Sequence, residues 1–291
     1  MEALSLRNQF LHAQVLPACG AGLARLDWVA GGAAQHVMRP YDGSAPPTTS
    51  KLACFPLLPW SNRMGGAGFT FEGQAYQVPP NRAGEPCPIH GDGWQYAWEV
   101  ASHRSDALAL TLDRSVGDPF SYVAKLDYVL CSDALHITLE VRNAGRRAMP
   151  FGLGLHPWLP RTADVRLLAP ACGTWQRGAD GLPASAMAIP PAWDFAQARA
   201  LPADGIDNMF SGWAGAAEIV WPERGLRLSI NANMDYYIVY APTGADFFCF
   251  EPVDHAVNAF NLAGGPARHG MTVLAPGEVM RRRVAFRAGA A

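Results

Sequence analysis

YVAKLDYVLCSDALHITLEVRN, residues 122–143, is the stretch that decides the fold class. Tyr122, Ala124, Leu126, Tyr128 and Leu130 recur at every second position, with Lys125 and Asp127 between them. Leu135, Ile137, Leu139 and Val141 then alternate with His136, Thr138, Glu140 and Arg142. In a strand successive side chains point to opposite faces, so this pattern predicts strands buried on one face and wet on the other. Leu108, Leu110 and Leu112 repeat the pattern upstream, and the three segments read as an antiparallel meander. Further strands are predicted around Leu226, Leu228 and Ile230, in DYYIVYA from Asp235, in DFFCFEP from Asp246 and in RRRVAFRA near the carboxyl end. No ten-residue amphipathic helix stands out, and 29 glycines and 24 prolines spread over 291 residues disfavour long helices. The economical architecture is all-β, a large antiparallel β-sandwich of two sheets packed face to face. A single domain over residues 1–291 is expected, with LPASAMAIPPAWDFAQARALP (182–202) as an ordered surface excursion.

Composition narrows the function. With 23 basic against 25 acidic residues the formal charge is -2, which offers no strong field for nucleic acid or an anionic membrane. No apolar run reaches the roughly 18 residues of a membrane span, and MEALSLRNQFLHAQ lacks the basic start and apolar run of a secretory signal. A cytoplasmic protein is the expectation. Six cysteines without a C-x-x-C pair imply neither disulfides nor zinc, and Cys131 and Cys249, inside alternating apolar segments, read as core packing.

Five segments depart from the strand background by setting polar or ionisable residues among glycine, proline and aromatic residues, where function tends to sit. FPLLPWSNRMGGAGFTF (55–71) carries Asn62 and Arg63, and PIHGDGWQYAWEV (88–100) carries His90. PFGLGLHPWLP (150–160) holds His156 with no other ionisable group between Arg147 and Arg161, so desolvation lowers its pKa unless a carboxylate lies close. GIDNMFSGW (205–213) contributes Asp207 and Asn208, which read equally as an Asx turn. In FFCFEPVDHAVNAFN (247–261), Glu251 follows a strongly hydrophobic strand and precedes a proline that ends it. Glutamate is almost never fully buried unpaired, so this position points to function. Each of the others, alone, is equally compatible with a structural role.

Taken in order, these segments resemble the aldose 1-epimerase (galactose mutarotase) family from about Cys54 to the end of the chain. The likeness is carried by Asn62-Arg63, Gly68, Asn81 and His90-Gly91, then by Gly154, His156 and Pro157. It continues through Asp207, Asn208 and Phe210, then Glu251 to Asn258, and ends with Leu274 to Glu278. The resemblance implies a galactose mutarotase-like supersandwich, a monosaccharide in a groove over one sheet, no cofactor, no metal, and a monomer or homodimer. It implies exchange of α and β anomers, with Glu251 as base at the anomeric hydroxyl, His156 as acid at the ring oxygen and His90 as a second polar contact. Asn62, Arg63 and Asp207 are then hydroxyl anchors. Chemistry agrees, because opening a hemiacetal ring requires only that one proton leave the anomeric hydroxyl and another reach the ring oxygen. Such a pair predicts a bell-shaped pH profile.

Trp60, Trp94 and Trp213 are available to stack on a sugar face, and His255 is expected on an exposed loop. The compact turn Met64-Gly65-Gly66 departs from the charged turn of galactose-preferring members. Three rivals remain: a hexose-6-phosphate 1-epimerase using Arg63 and Arg82 for phosphate, a non-catalytic carbohydrate-binding domain, and a metal hydrolase on His90, His156 and Asp207. The last lacks any H-x-H or H-E-x-x-H spacing.

Overall fold

The structure, a computed structural model, describes every residue except Met1, Gly31 and Ser44. Strands dominate, and the helical pieces among the described residues are short 3-10 turns. A nine-stranded sheet runs in the order 199–200, 166–168, 216–221, 226–232, 279–290, 134–143, 122–131, 107–114, 99–103. The expected meander lies at one end of it, Leu126 pairing with Leu110 on one side and Leu139 on the other. An eight-stranded sheet runs 183–187, 173–177, 206–211, 236–241, 247–253, 154–155, 56–57, with 158–160 also pairing on 247–253. A four-stranded sheet built from residues 4–36 flanks them. No helix among the described residues is long and apolar enough to cross a membrane.

Alternation dictates what each face does. From the nine-stranded sheet Leu126, Tyr128, Ile137, Leu139, Leu228 and Phe286 enter one core cluster. Phe210, Tyr237, Val239, Phe248 and Phe250 of the eight-stranded sheet join the same cluster. The residues one position out of phase on those latter strands, Met209, Ile238 and Val253, instead belong to a second, smaller cluster with Phe55, Leu57 and Ala256. The eight-stranded sheet therefore packs one face on the main core and carries a smaller apolar cluster on the other, which Asp207, Tyr240 and Glu251 share by alternation.

Three expectations are corrected here. Cys131 is exposed: it shares the odd-numbered parity of Lys125 and Asp127 and ends its strand at the turn, while Cys249 is buried as expected. Asp207 and Asn208 lie inside the strand Ile206–Ser211 and not in a turn. Pro252 does not end its strand, which runs Phe247–Val253 with Pro252 opposite Tyr237. The 182–202 stretch is an ordered excursion, with strand Pro183–Met187 paired on 173–177 and a 3-10 turn at Pro191–Trp193.

Candidate active site

Two of the expected site residues are brought together by register alone. Gly154 is opposite Val253 and Trp158 is opposite Cys249, which sets His156 across from Glu251. The ladder is interrupted between those pairs, where Pro157 and Pro252 supply no N–H. The His156 N–H turns instead to the Phe55 carbonyl at 3.0 Å. Cross-strand neighbours on one face are within side-chain reach, and His156 Nε2 lies 3.4 Å from Glu251 Oε1.

The surroundings bury this pair. His156 is sandwiched between Phe55, centroids 4.7 Å apart at 21°, and Trp158, 5.2 Å at 17°. His156 is 8% exposed and Glu251 2%. Glu251 Oε2 and His156 Nδ1 are buried with no hydrogen-bond partner among the described residues. Buried polar atoms are ordinarily bonded, so these two orphans, on residues in contact, mark a place that a polar ligand can complete. Burial is the leading cause of both pKa shifts. It pushes His156 down to about 3 and Glu251 well above the ordinary carboxylate value, with Asp207 adding to the latter. Both shifts favour the uncharged forms of the two side chains.

His90 stands edge-on to His156, centroids 5.3 Å apart. Its Nδ1 accepts the Asn62 N–H at 3.0 Å, so the proton of the neutral ring sits on Nε2 and faces the cavity. Burial, reinforced by the nearby His156, Arg63 and Arg82, holds its pKa well below the ordinary imidazole value. His90 is therefore a fixed hydrogen-bond donor. Its loop is clamped by Asn81, whose side chain bonds Ile89 N, Ile89 O and Gly91 O at 2.8, 2.9 and 2.7 Å. Gly91 is required there: its φ is +64°, and a Cβ would fall 2.0 Å from the Leu58 carbonyl oxygen. Gly91→Ala is expected to destabilise the fold by about 2 kcal/mol or more, read as a lower urea midpoint at unchanged m-value.

Two charged residues near the His156–Glu251 pair are themselves held by ion pairs. Arg63 is held in bidentate fashion by Glu85, at 3.0 and 3.2 Å, and Arg177 reaches Asp207 Oδ2 at 2.7 Å. Together with Asn62, Arg82, Ile89, Trp158 and Tyr240, residues His90, His156, Arg63, Glu85, Asp207 and Glu251 line one cavity of about 250 Å³. All six predicted site residues meet in it. Glu85, Arg177, Phe55, Trp158 and Tyr240 were not anticipated. Tyr240 had a signal, since it faces the same way as Ile238 and Glu251 by alternation.

Other sequence expectations resolve differently. His255 is buried, not exposed: its Nε2 accepts the Ser61 N–H at 2.9 Å while Nδ1 bonds the Ala256 carbonyl at 2.8 Å, pinning the segment that delivers Asn62 and Arg63. Trp60 and Trp213 belong to the main core, and the Trp94 indole N–H is spent on the Gly91 carbonyl at 2.9 Å. Asn208 bonds the Trp175 carbonyl and serves its strand. The trio His90, His156 and Asp207 does not form a metal-ligand group; the described residues that do are His156, Cys249 and Glu251.

Comparison with known proteins decides the family. The aldose 1-epimerase family model matches residues 2–287. The chain belongs to the aldose 1-epimerase family. It is 32% identical over 261 residues to Escherichia coli K12 YphB, covering 86% of this chain and 88% of that protein. A crystal structure from Escherichia coli K12 superposes with a TM-score of 0.91 at 29% identity, covering 100% of this chain and 99% of that one. The galactose 1-epimerase of Lactobacillus acidophilus NCFM shares the fold, with a TM-score of 0.78 at 18% identity over 99% and 94% of the two chains. The supersandwich expectation is met. As an aldose 1-epimerase family member, the chain carries the orphaned His156–Glu251 pair in the cavity described above.

Proposed function

We propose that the protein interconverts the α and β anomers of a free aldose by acid–base ring opening and reclosure. The observation that carries this reading is the His156–Glu251 pair, set in register at 3.4 Å on the floor of the cavity. Both oxygens that exchange protons, the anomeric hydroxyl and the ring oxygen, are bonded to the same carbon. An acid and a base serving them must be near neighbours, and this pair is. Glu251 takes the anomeric proton and His156 protonates the ring oxygen; after rotation about C1–C2 the transfers reverse. The single proton of the pair crosses between Oε1 and Nε2 to reach the ionised form that this assignment uses. His90 Nε2–H donates to a sugar oxygen, Asp207 accepts from hydroxyls, and Arg63 and Asn62 hold the ring in place.

A free sugar is favoured over a phosphorylated one. Of the two cavity arginines considered for a phosphate, Arg63 is already paired with Glu85, which leaves Arg82 alone for that role. The deciding experiment is NMR or polarimetry of anomer equilibration across free and phosphorylated aldoses. Glucose or galactose should equilibrate faster with the protein than without it, and faster than glucose 6-phosphate does. Acceleration of none overturns the reading. Glu85→Gln should leave Arg63 loosely held and raise KM about tenfold with a smaller change in kcat, since an anchor binds ground and transition states alike.

A further inference from the structure

We propose that the same pocket is an inhibitory site for a thiophilic divalent cation, Zn2+ or Cd2+, held by His156, Cys249 and Glu251. Cys249 has no part in the proton transfers above. It lies two residues before Glu251 on the strand Phe247–Val253, hence on the same face, and pairs with Trp158, two residues after His156. Alternation on one strand and register with its neighbour thus converge a thiol, a carboxyl and an imidazole. One ligand atom from each lies within 4.8 Å of the other two, and all three side chains are buried. Glu251 Oε2 and His156 Nδ1 are both unpartnered atoms of this cluster.

Charge makes the assembly self-consistent. A dication with one thiolate, one carboxylate and one neutral imidazole has no net charge, so its burial avoids the penalty of an isolated ion. Three protein ligands leave a fourth position of the tetrahedron for water from the cavity. The balance is simple: the thiol and the carboxyl each give up a proton to solvent, and two metal–ligand bonds form in their place, with the imidazole lone pair supplying the third. A thiolate in the set selects Zn2+ and Cd2+ over Mg2+ and Ca2+. Once bound, the metal occupies the lone pairs with which Glu251 and His156 would exchange protons. That inhibition rests on the acid–base reading of the pair, whereas the binding does not.

The test separates the two. Cys87, Cys131 and Cys172 are the cysteines that are not buried, and replacing each by Ser removes thiols that would bind metal at the surface. In that background, titration with Cd2+ alone should produce a thiolate-to-metal charge-transfer band saturating at one equivalent, undiminished by excess Mg2+. Cys249→Ser should abolish the band, and His156→Gln, which keeps the thiol, should weaken binding at least about tenfold. Affinity should rise steeply with pH because two protons leave. No band at saturating Cd2+, or a band of full strength in Cys249→Ser, overturns the site. Circular dichroism and melting curves confirm folding of each variant, and the His156→Gln titration decides the matter if Cys249→Ser does not fold. With the unmodified chain, Zn2+ should suppress anomer exchange and EDTA restore it. A chain that shows the band but no exchange before metal is added refutes the acid–base reading and leaves the metal site standing.

Discussion

Glu251→Gln lowers kcat for anomer exchange by about 10²–10⁴-fold, the range a positioned acid–base group contributes, with KM little changed and the fold intact. The reason for choosing glutamine is the state of the native residue. Glu251 is 2% exposed, and burial keeps its carboxyl protonated well above the ordinary range. An amide has nearly the shape of that neutral acid, so the substitution neither opens a cavity nor buries a charge. A melting temperature within about 3 °C of the parent is expected, equivalent to about 1 kcal/mol in a chain of this size. Alanine would be a poorer probe, because it would leave His156 without its neighbour and add a packing defect to the chemical one. Rates followed by NMR for both anomers should fall together, since one group serves ring opening and closure. A variant with parental turnover would remove Glu251 from the proton transfers and return the non-catalytic carbohydrate-binding alternative to first place.

Legibility from sequence followed the periodicity. The meander of residues 107–143 was readable because its inward and outward sets never exchange, from Tyr122 to Val141. The same rule, applied one residue further, would have placed Cys131 outside. His156 and Glu251 stood out chemically, but their pairing depends on a register between segments about a hundred residues apart that no local pattern encodes. Glu85 and Arg177 were illegible for a related reason. A charged side chain on a loop or at a strand end looks solvated until its partner is known, and Arg63 and Asp207 supply those partners only in three dimensions. His255 was misread because its hydrogen bonds run to Ser61, distant in sequence, and to its immediate neighbour Ala256, and because the space it fills exists only where Gly152 lacks a Cβ. Burial of a polar residue is set by what covers it, and here the cover is another loop.

His156→Gln should lower kcat on the same scale and change the shape of two pH profiles. In the parent, the active form carries one proton on the pair. Below the lower macroscopic pKa both groups are protonated and no base remains; above the upper one neither can act as acid. Because burial draws His156 down to about 3 and Glu251 upward, the rate plateau should be wider than the interval between the ordinary values of 4.5 and 6.5. With His156 gone, only Glu251 titrates, and the residual rate should rise with pH through its raised pKa without falling again. Stability carries the complementary signature. Above pH 4.5 but below both 6.5 and the raised Glu251 value, the unfolded chain holds its proton on the histidine and the folded chain holds one on Glu251, so the two linkages cancel and the pair contributes no slope. Once the unfolded histidine has lost its proton, any proton still held on folded Glu251 makes stability fall as pH rises through the raised Glu251 value. Below 4.5 the unfolded pair has two against one, and stability falls toward the His156 value of about 3. Removing the histidine deletes the acid limb. What remains is a folded carboxyl with a raised pKa, whose stabilisation is complete below 4.5 and is lost as pH climbs through its folded value. The difference in melting temperature between parent and variant should therefore change steadily from about pH 3 to pH 6.5 and level off above it. A rate profile that keeps both limbs in His156→Gln would assign the acid to another group, with His90 Nε2–H the nearest candidate by position.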